Sequence, residues 1–159
     1  MKLPLACTVI LLSSCSITQK VEPIPAGTEI SHVAIKQNTS VLMEGLLPEL
    51  ERQITSLGYR VSVYSQDPPE EADCTAEYSA NWGWDLAMYL TFFRVDLYSN
   101  EVVIGATSGA TYSRGAHLGS VEYNAMRGGA NMGKFGSTGS KIAPLLSELF
   151  SKVTIPSDG

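Results

Sequence analysis

Residues with catalytic potential are few in this chain. It has two histidines, His32 and His117, and neither lies in the His-Glu-x-x-His or paired-cysteine spacing that binds zinc. A serine–histidine–carboxylate set requires His117 to be combined with Ser113 or Ser120. Glu122 would then supply the carboxylate, a combination that any chain with many serines allows. We therefore predict no catalytic residues, no metal site and no cofactor. A hydrolase that uses His117 stays as a minor alternative.

A glycine-rich segment near the C-terminus matches a phosphate-binding loop only in part. Gly128, Gly133 and Lys134 have the required spacing of a glycine, four residues and Gly-Lys. Phe135 stands where that loop needs a hydroxyl for Mg²⁺, and residues 136–139 make a poor start for a helix. We predict no nucleotide binding and interpret the segment as a surface loop.

This segment closes a wider glycine-rich stretch that is locally basic. Nine of the 14 glycines fall between residues 105 and 139, which predicts loops or strand ends. Candidate binding residues on this stretch are Arg114, His117, Arg127 and Lys134. We interpret the stretch as a contact rim for a partner, the alternative being a flexible loop with solvated charges.

Two tryptophans flank a glycine in the motif Trp82-Gly83-Trp84. Aromatic side chains with polar tips serve as anchors in binding grooves, and they also pack in cores. Strand alternation places both indoles on the side opposite Gly83, so we expect Trp82 and Trp84 to be buried or exposed together.

The first 15 residues have the parts of a secretory signal. Lys2 precedes a short apolar core that runs to Leu12, and small residues lead to Cys15. The apolar core is shorter than the stretch of about 20 residues that spans a bilayer. The segment Leu12-Ser13-Ser14-Cys15 resembles the lipobox of bacterial lipoproteins, the alternative being a cysteine that follows the leader by chance.

The lipobox resemblance implies a membrane anchor. In that class the leader, here residues 1–14, is removed, the Cys15 sulfur takes a diacylglycerol, and the new amine is acylated by a fatty acid such as palmitate. Ser16 follows Cys15 in place of the aspartate typical of inner-membrane retention. The resemblance therefore implies a protein held by lipid at the outer membrane, facing the periplasm.

The order of predicted elements indicates an α+β fold. Residues 30–64 are predicted as strand, helix and strand, since apolar residues recur at helical spacing from Leu42 to Leu57 between two alternating segments. Pro48 either kinks this helix or marks its firm beginning near Leu47. After a turn, strands are predicted over 75–82, 85–98, 101–107 and 121–123, with Ser99-Asn100 as a hairpin turn.

A second helix is predicted over 141–150, with Ser140 as its N-cap and Pro144 in its first turn. A strand-helix-strand unit followed by an antiparallel meander and a helix predicts a mostly antiparallel sheet with both helices on one face. Apolar residues on both sides of 85–98 predict a bulge near Phe92-Phe93 or a central strand. With its lipobox, this layout resembles the small α+β lipoproteins that assist envelope assembly.

We divide the chain into the leader 1–14, a lipidated cysteine with a flexible tether over 15–28, and a single α+β domain over 29–155. The tether prediction rests on two prolines and a glycine without periodic apolar residues. Cys74 would be the free thiol of the mature chain, and we interpret it as a small buried hydrophobe. A net charge of −5 disfavours nucleic acid as a partner.

The sequence thus predicts a non-enzymatic binding or assembly-accessory module of the cell envelope. Its partners would be the membrane, through the lipid, and an envelope protein or other envelope component. A carrier of small molecules or lipids is the main alternative. Its apolar pocket would lie between sheet and helices and be lined by Met88, Phe92 and Leu146.

Overall fold

The computed structural model describes residues 17–105, 109–127, 129 and 131–156. The leader and Cys15 lie outside these residues. The elements are β1 Thr18–Glu22, β2 His32–Lys36, α1 Leu46–Ser56, β3 Arg60–Tyr64, β4 Cys74–Asp85, β5 Ala87–Gly105, β6 Gly109–Asn124, a short 3₁₀-helix Met132–Phe135 and α2 Thr138–Leu149. One six-stranded sheet has the order β1-β6-β5-β4-β2-β3. The fold is α+β, as predicted, and the sheet is mostly antiparallel.

The predicted strand-helix-strand unit forms as β2, α1 and β3. β2 lies between β3 and β4 and is parallel to both. Pro48 lies in the first turn of α1, where its missing N–H removes no helical hydrogen bond, so the helix begins there and is not kinked in its middle. The buried face of α1 is formed by Leu46, Leu50 and Ile54, the spacing expected of an amphipathic helix.

Strands β4, β5 and β6 form the predicted meander, but the predicted turn at Ser99-Asn100 is wrong. β5 continues through these residues to Gly105, with an irregular register between Leu97 and Asn100. Asn100 fits inside a strand because its side-chain amide donates to two backbone carbonyls of the 69–72 turn, at 3.0 and 2.9 Å. The predicted bulge near Phe92 is confirmed as a register shift opposite Asn81 and Trp82.

The N-terminal segment predicted as a tether belongs to the fold, so that prediction is wrong for residues 17–28. β1 pairs antiparallel with β6, with Thr18 opposite Asn124. Ile24 is fully buried, and its N–H donates to the carbonyl of Leu149 at 3.0 Å. The two prolines indicated a tether, although this segment contains the five-residue strand β1 and the buried side chain of Ile24. The sheet consequently begins three residues after Cys15.

Helix α2 begins at Thr138, earlier than predicted. Ser137, not Ser140, is the N-cap, and its hydroxyl accepts a hydrogen bond from the Ser140 N–H at 3.2 Å. Pro144 therefore lies in the second turn of the helix and not in the first. Both helices pack on one face of the sheet; the largest fully buried side chains include Phe93, Leu97, Tyr123, Ile142 and Leu146. No helix in the described ranges is long and apolar enough to cross a membrane.

Four features lie at one end of the sheet, which we call the hairpin end. They are the β4–β5 turn at Leu86, the loop 37–45 between β2 and α1, residues 125–127 and 131–135 after β6, and the start of β1. The strand directions fix this grouping, because β2 and β4 run towards this end and β1 runs away from it. Gly105 of β5 and Gly109 of β6 pair at the opposite end, and residues 106–108 are outside the described ranges.

Candidate binding surfaces

The sheet face that the helices leave open carries an ion-paired cluster at its centre. The Arg94 guanidinium donates to both carboxylate oxygens of Asp96, at 2.7 and 2.6 Å, and to Glu122 on β6 at 3.3 Å. Burial alone would raise the pKa of Asp96. The hydrogen bonds and charge of Arg94, assisted by His117, outweigh burial and hold that pKa below its usual value. The hydrogen bonds hold the charged groups of Arg94, Asp96 and Glu122 in place on the open face.

Two of the predicted binding residues, Arg114 and His117, meet on this face around Tyr98. The Arg114 guanidinium lies 4.5 Å from the Tyr98 ring centroid and binds the carboxylate of Glu77. The His117 ring packs edge-on against Tyr98 at 5.3 Å, and its Nε2 lies 3.3 Å from an oxygen of Asp96. We call Tyr98, Arg114 and His117 the Tyr98 patch. It offers an aromatic ring flanked by two nitrogen-rich side chains.

The serine–histidine–carboxylate set considered from the sequence does not form around the described side chains. Ser120 directs its hydroxyl to the carboxylate of Glu22, at 3.3 Å, and Glu122 is engaged by Arg94. The side chain of Ser113 lies outside the described part of the chain. His117 is therefore held by Asp96 and Tyr98, an arrangement that fixes its ring on the surface.

The glycine-rich stretch does not form one basic rim, so that prediction is wrong. Most of the stretch is strand β6, which places Arg114 and His117 on the open face. Lys134 lies at the hairpin end and is 5% exposed. Its ammonium group donates to Asp85 at 2.5 Å and to the carbonyl of Gly129 at 2.6 Å. Arg127 is exposed in the turn after β6. Lys134 thus links the 3₁₀-helix to the β4–β5 hairpin, and its ammonium group is hydrogen-bonded to other residues of the domain.

The two tryptophans differ in exposure, so the expectation that they behave alike is wrong. Trp82 packs against the core and lines an open groove of about 540 Å³ between the first turns of α1 and α2, together with Met43 and Gly139. Trp84, two residues further along β4, is 71% exposed. They differ because the β4–β5 hairpin extends past the helices that cover Trp82.

The pocket expected of a carrier is not formed by the residues predicted to line it. Leu146 is fully buried in the core, whereas Met88 is 51% exposed on the hairpin. These two side chains therefore do not face a common cavity, and the space between sheet and helices is filled by packed side chains. The structure gives no support to the carrier alternative.

Cys74 is buried, as predicted. It is completely inaccessible in β4, and burial, with a smaller contribution from the charge of Asp73, raises the pKa of its thiol to about 12. Within the described ranges no three acidic, histidine or cysteine side chains are grouped so that they could hold a metal ion.

The tip of the β4–β5 hairpin lies two residues beyond the break that the sequence predicts. The predicted strands 75–82 and 85–98 leave residues 83–84 as the break between them, whereas the chain reverses direction at Leu86, which is 90% exposed. The sequence signal for a turn at this position is Asp85, a charged residue that interrupts the apolar run between Trp84 and Met88.

Comparison with known proteins gives a fold relationship. No protein-family model matches the chain, and no curated protein matches it in sequence. Among solved structures it is similar to a dodecamer of a PelC point variant from Paraburkholderia phytofirmans, with a TM-score of 0.50 and 12% sequence identity. The similarity covers 86% of this chain and 96% of that one. At this level of identity the two proteins share a fold, and the likeness carries no further assignment.

Proposed function

We propose that this chain is a lipid-anchored accessory module of the cell envelope that binds an envelope component and catalyses no reaction. The observation that carries the proposal is the position of β1. It begins three residues after the lipobox cysteine, a distance of at most about 10 Å in an extended chain. A lipid on Cys15 would therefore hold the folded domain directly against the membrane surface instead of on a long tether.

The first experiment tests the anchor with a matched pair of cysteine variants. Cys15→Ser removes the proposed lipidation site, and Cys7→Ser changes a cysteine inside the predicted leader. We expect labelled palmitate to be incorporated into the parent chain and the Cys7→Ser variant, and to be absent from Cys15→Ser. Labelling of Cys15→Ser at the parent level would contradict the anchor.

The proposed outer-membrane location rests on Ser16, the residue after the proposed lipidation site. Replacing Ser16 by aspartate should move the protein from the outer-membrane to the inner-membrane fraction of a density gradient. This expectation rests on the sorting pattern of the lipoproteins that the lipobox resembles. An unchanged distribution of Ser16→Asp would contradict outer-membrane sorting by this residue while leaving the lipid anchor standing.

The open sheet face is the surface we propose for the envelope partner, because the Tyr98 patch combines an exposed guanidinium and an imidazole with an aromatic ring. A photoreactive amino acid at position 117 should give discrete crosslinked products in intact cells. The same amino acid at position 52, an exposed site on α1, is the control on the helix side. Equal crosslinking from both positions would contradict the choice of face.

A further inference from the structure

We propose that the β4–β5 hairpin tip inserts into the interface of the bilayer that holds the Cys15 lipid, so that the domain docks on the membrane through Trp84, Leu86 and Met88. The proposal rests on the lipid anchor of the proposed function and adds the surface and orientation of contact. The occupant is the boundary between lipid headgroups and acyl chains, where tryptophan and long apolar side chains are favoured.

Exposed large apolar side chains are concentrated at the hairpin end. Of the nine such residues in the described part of the chain, seven lie at this end. They are Leu42, Met43, Trp84, Leu86, Met88, Met126 and Met132. The tip residues are 71%, 90% and 51% exposed for Trp84, Leu86 and Met88. Scattered apolar residues are normal on a protein surface, whereas a cluster at one end indicates contact with an apolar partner.

The backbone at the apex gives an independent indication. Leu86 has φ +63°, and it is the one non-glycine residue with a positive φ in the described ranges. Glycine, asparagine or aspartate is usual in such a turn, because the β-carbon of leucine is strained there. A strained leucine that is 90% exposed gains little from packing within the domain. Its side chain therefore suits a contact outside the domain.

The register of the sheet places the hairpin tip and the start of β1 at the same end of the domain, so both can face one membrane surface. Thr18, Asn124, Phe92 and Asn81 lie at one level on four adjacent strands. Leu86 is five residues beyond Asn81, so the apex projects about 15 Å past that level. Cys15 is three residues before Thr18, a separation that spans at most about 10 Å. The apex can therefore lie about 5 Å deeper than the cysteine, the depth at which interfacial side chains are buried.

The charges near the tip are compatible with this contact. The carboxylate of Asp85, next to the apex, is ion-paired with Lys134 at 2.5 Å, which reduces its cost in a less polar medium. Arg127, exposed in the turn after β6 at the same end, carries a charge that attracts lipid phosphates.

The two tryptophans of the chain provide the experiment, since Trp82 and Trp84 are the only ones. The full lipidated chain is reconstituted into vesicles of phosphatidylethanolamine and phosphatidylglycerol whose acyl chains are brominated near the headgroups. In Trp82→Phe, where Trp84 alone emits, we expect the lipid bromines to reduce fluorescence about twofold, as befits an indole at interfacial depth. In Trp84→Phe, where Trp82 alone emits from its partly buried position against the core, we expect little quenching.

A second reporter keeps the test valid if Trp82→Phe fails to fold. Leu86→Cys can be labelled with an environment-sensitive fluorophore because the other thiol, Cys74, is buried. Ser56→Cys, at the C-terminal end of α1 and away from the tip, is the control. We expect a blue shift on reconstitution for the label at position 86 and none for the label at position 56.

The outcomes separate this proposal from the one it rests on. Vesicle flotation and the mass of the chain show whether Cys15 carries lipid. A chain without lipid would contradict the proposed anchor, on which the hairpin contact depends. A lipidated chain that floats with the vesicles but shows neither Trp84 quenching nor a shift at position 86 overturns the hairpin contact alone. Introducing Leu86→Asp into the Trp82→Phe chain should restore Trp84 emission, and undiminished quenching there would also contradict insertion.

Discussion

Replacing Leu86 by asparagine should stabilise the domain, although it removes a large apolar side chain. A residue with a β-carbon at φ +63° is disfavoured by about 1–2 kcal/mol, and asparagine tolerates this conformation better. Since Leu86 is 90% exposed, its removal costs almost no buried area. We therefore expect a gain of about 1 kcal/mol in the free energy of unfolding, equivalent to roughly 2–4 °C in Tm for a chain of this length.

Urea unfolding followed by far-ultraviolet circular dichroism gives this free energy, and two variants control for side-chain chemistry. Leu86→Ala removes the same apolar side chain but lacks the polar group that lets asparagine adopt a left-handed conformation, so it should not stabilise. Leu42→Asn makes the same exchange at a site that is 88% exposed and lacks a positive φ, so it should be neutral. A loss of stability in Leu86→Asn, or an equal gain in Leu86→Ala, would refute the argument from backbone strain.

Three further predictions concern the interior and the open face. Gly119→Ala would place a methyl group 2.5 Å from a backbone carbonyl of β1, so urea unfolding should show a loss of about 1–3 kcal/mol. Asp96→Asn should lower the free energy of unfolding by about 1–2 kcal/mol at pH 7, because Arg94 loses a charged partner. The Asp96 pKa is lowered in the folded state, so the stability it contributes is complete above its unfolded pKa of about 4 and decreases as pH falls through the folded value. Cys74, with a thiol pKa of about 12, should react with a disulfide reagent at neutral pH only after the chain unfolds.

A specific outcome would contradict each of these three predictions. Gly45→Ala, where a β-carbon meets nothing within 4 Å, is the control for Gly119→Ala, and equal stability of the two variants would contradict the close packing of β1 on β6. An Asp96→Asn chain that loses as much stability as the parent between pH 5 and 3 would assign that loss to other carboxylates. Rapid reaction of Cys74 in the native chain would show that β4 opens locally.

The sequence predicted the fold class because its strongest patterns are local. Helical spacing from Leu42 to Leu57 and alternation at residues 59–64 each depend on a single element, and both elements form. The errors arise where a distant part of the chain supplies the partner. Asn100 suggested a turn, but its amide is satisfied by the 69–72 turn. Ile24 stood between prolines in an apparent tether and is buried beside α2.

The candidate surfaces were predicted less well for the same reason. Arg114 and Lys134 belong to one glycine-rich stretch of sequence. Arg114 lies within the 16-residue strand β6, whereas Lys134 follows that strand at the hairpin end, so the two side chains are far apart. The difference between Trp82 and Trp84 depends on where the helices stop covering the sheet, which strand alternation does not encode. Leu86 falls inside the predicted strand 85–98 because a leucine is an unusual residue at a hairpin apex.

The pairing of β1 with β6 has a consequence for the order in which the domain forms. Thr18 and Asn124 are 106 residues apart, and closing a loop of that size in an unfolded chain costs about 4 kcal/mol of entropy. We therefore expect β1 to join the sheet after β6 has paired with β5, although β1 precedes both strands in the chain. Until then its Lys20 and Glu22 side chains discourage edge-to-edge pairing with other copies. The described segment nearest to Cys15 is thus expected to join the sheet late in folding.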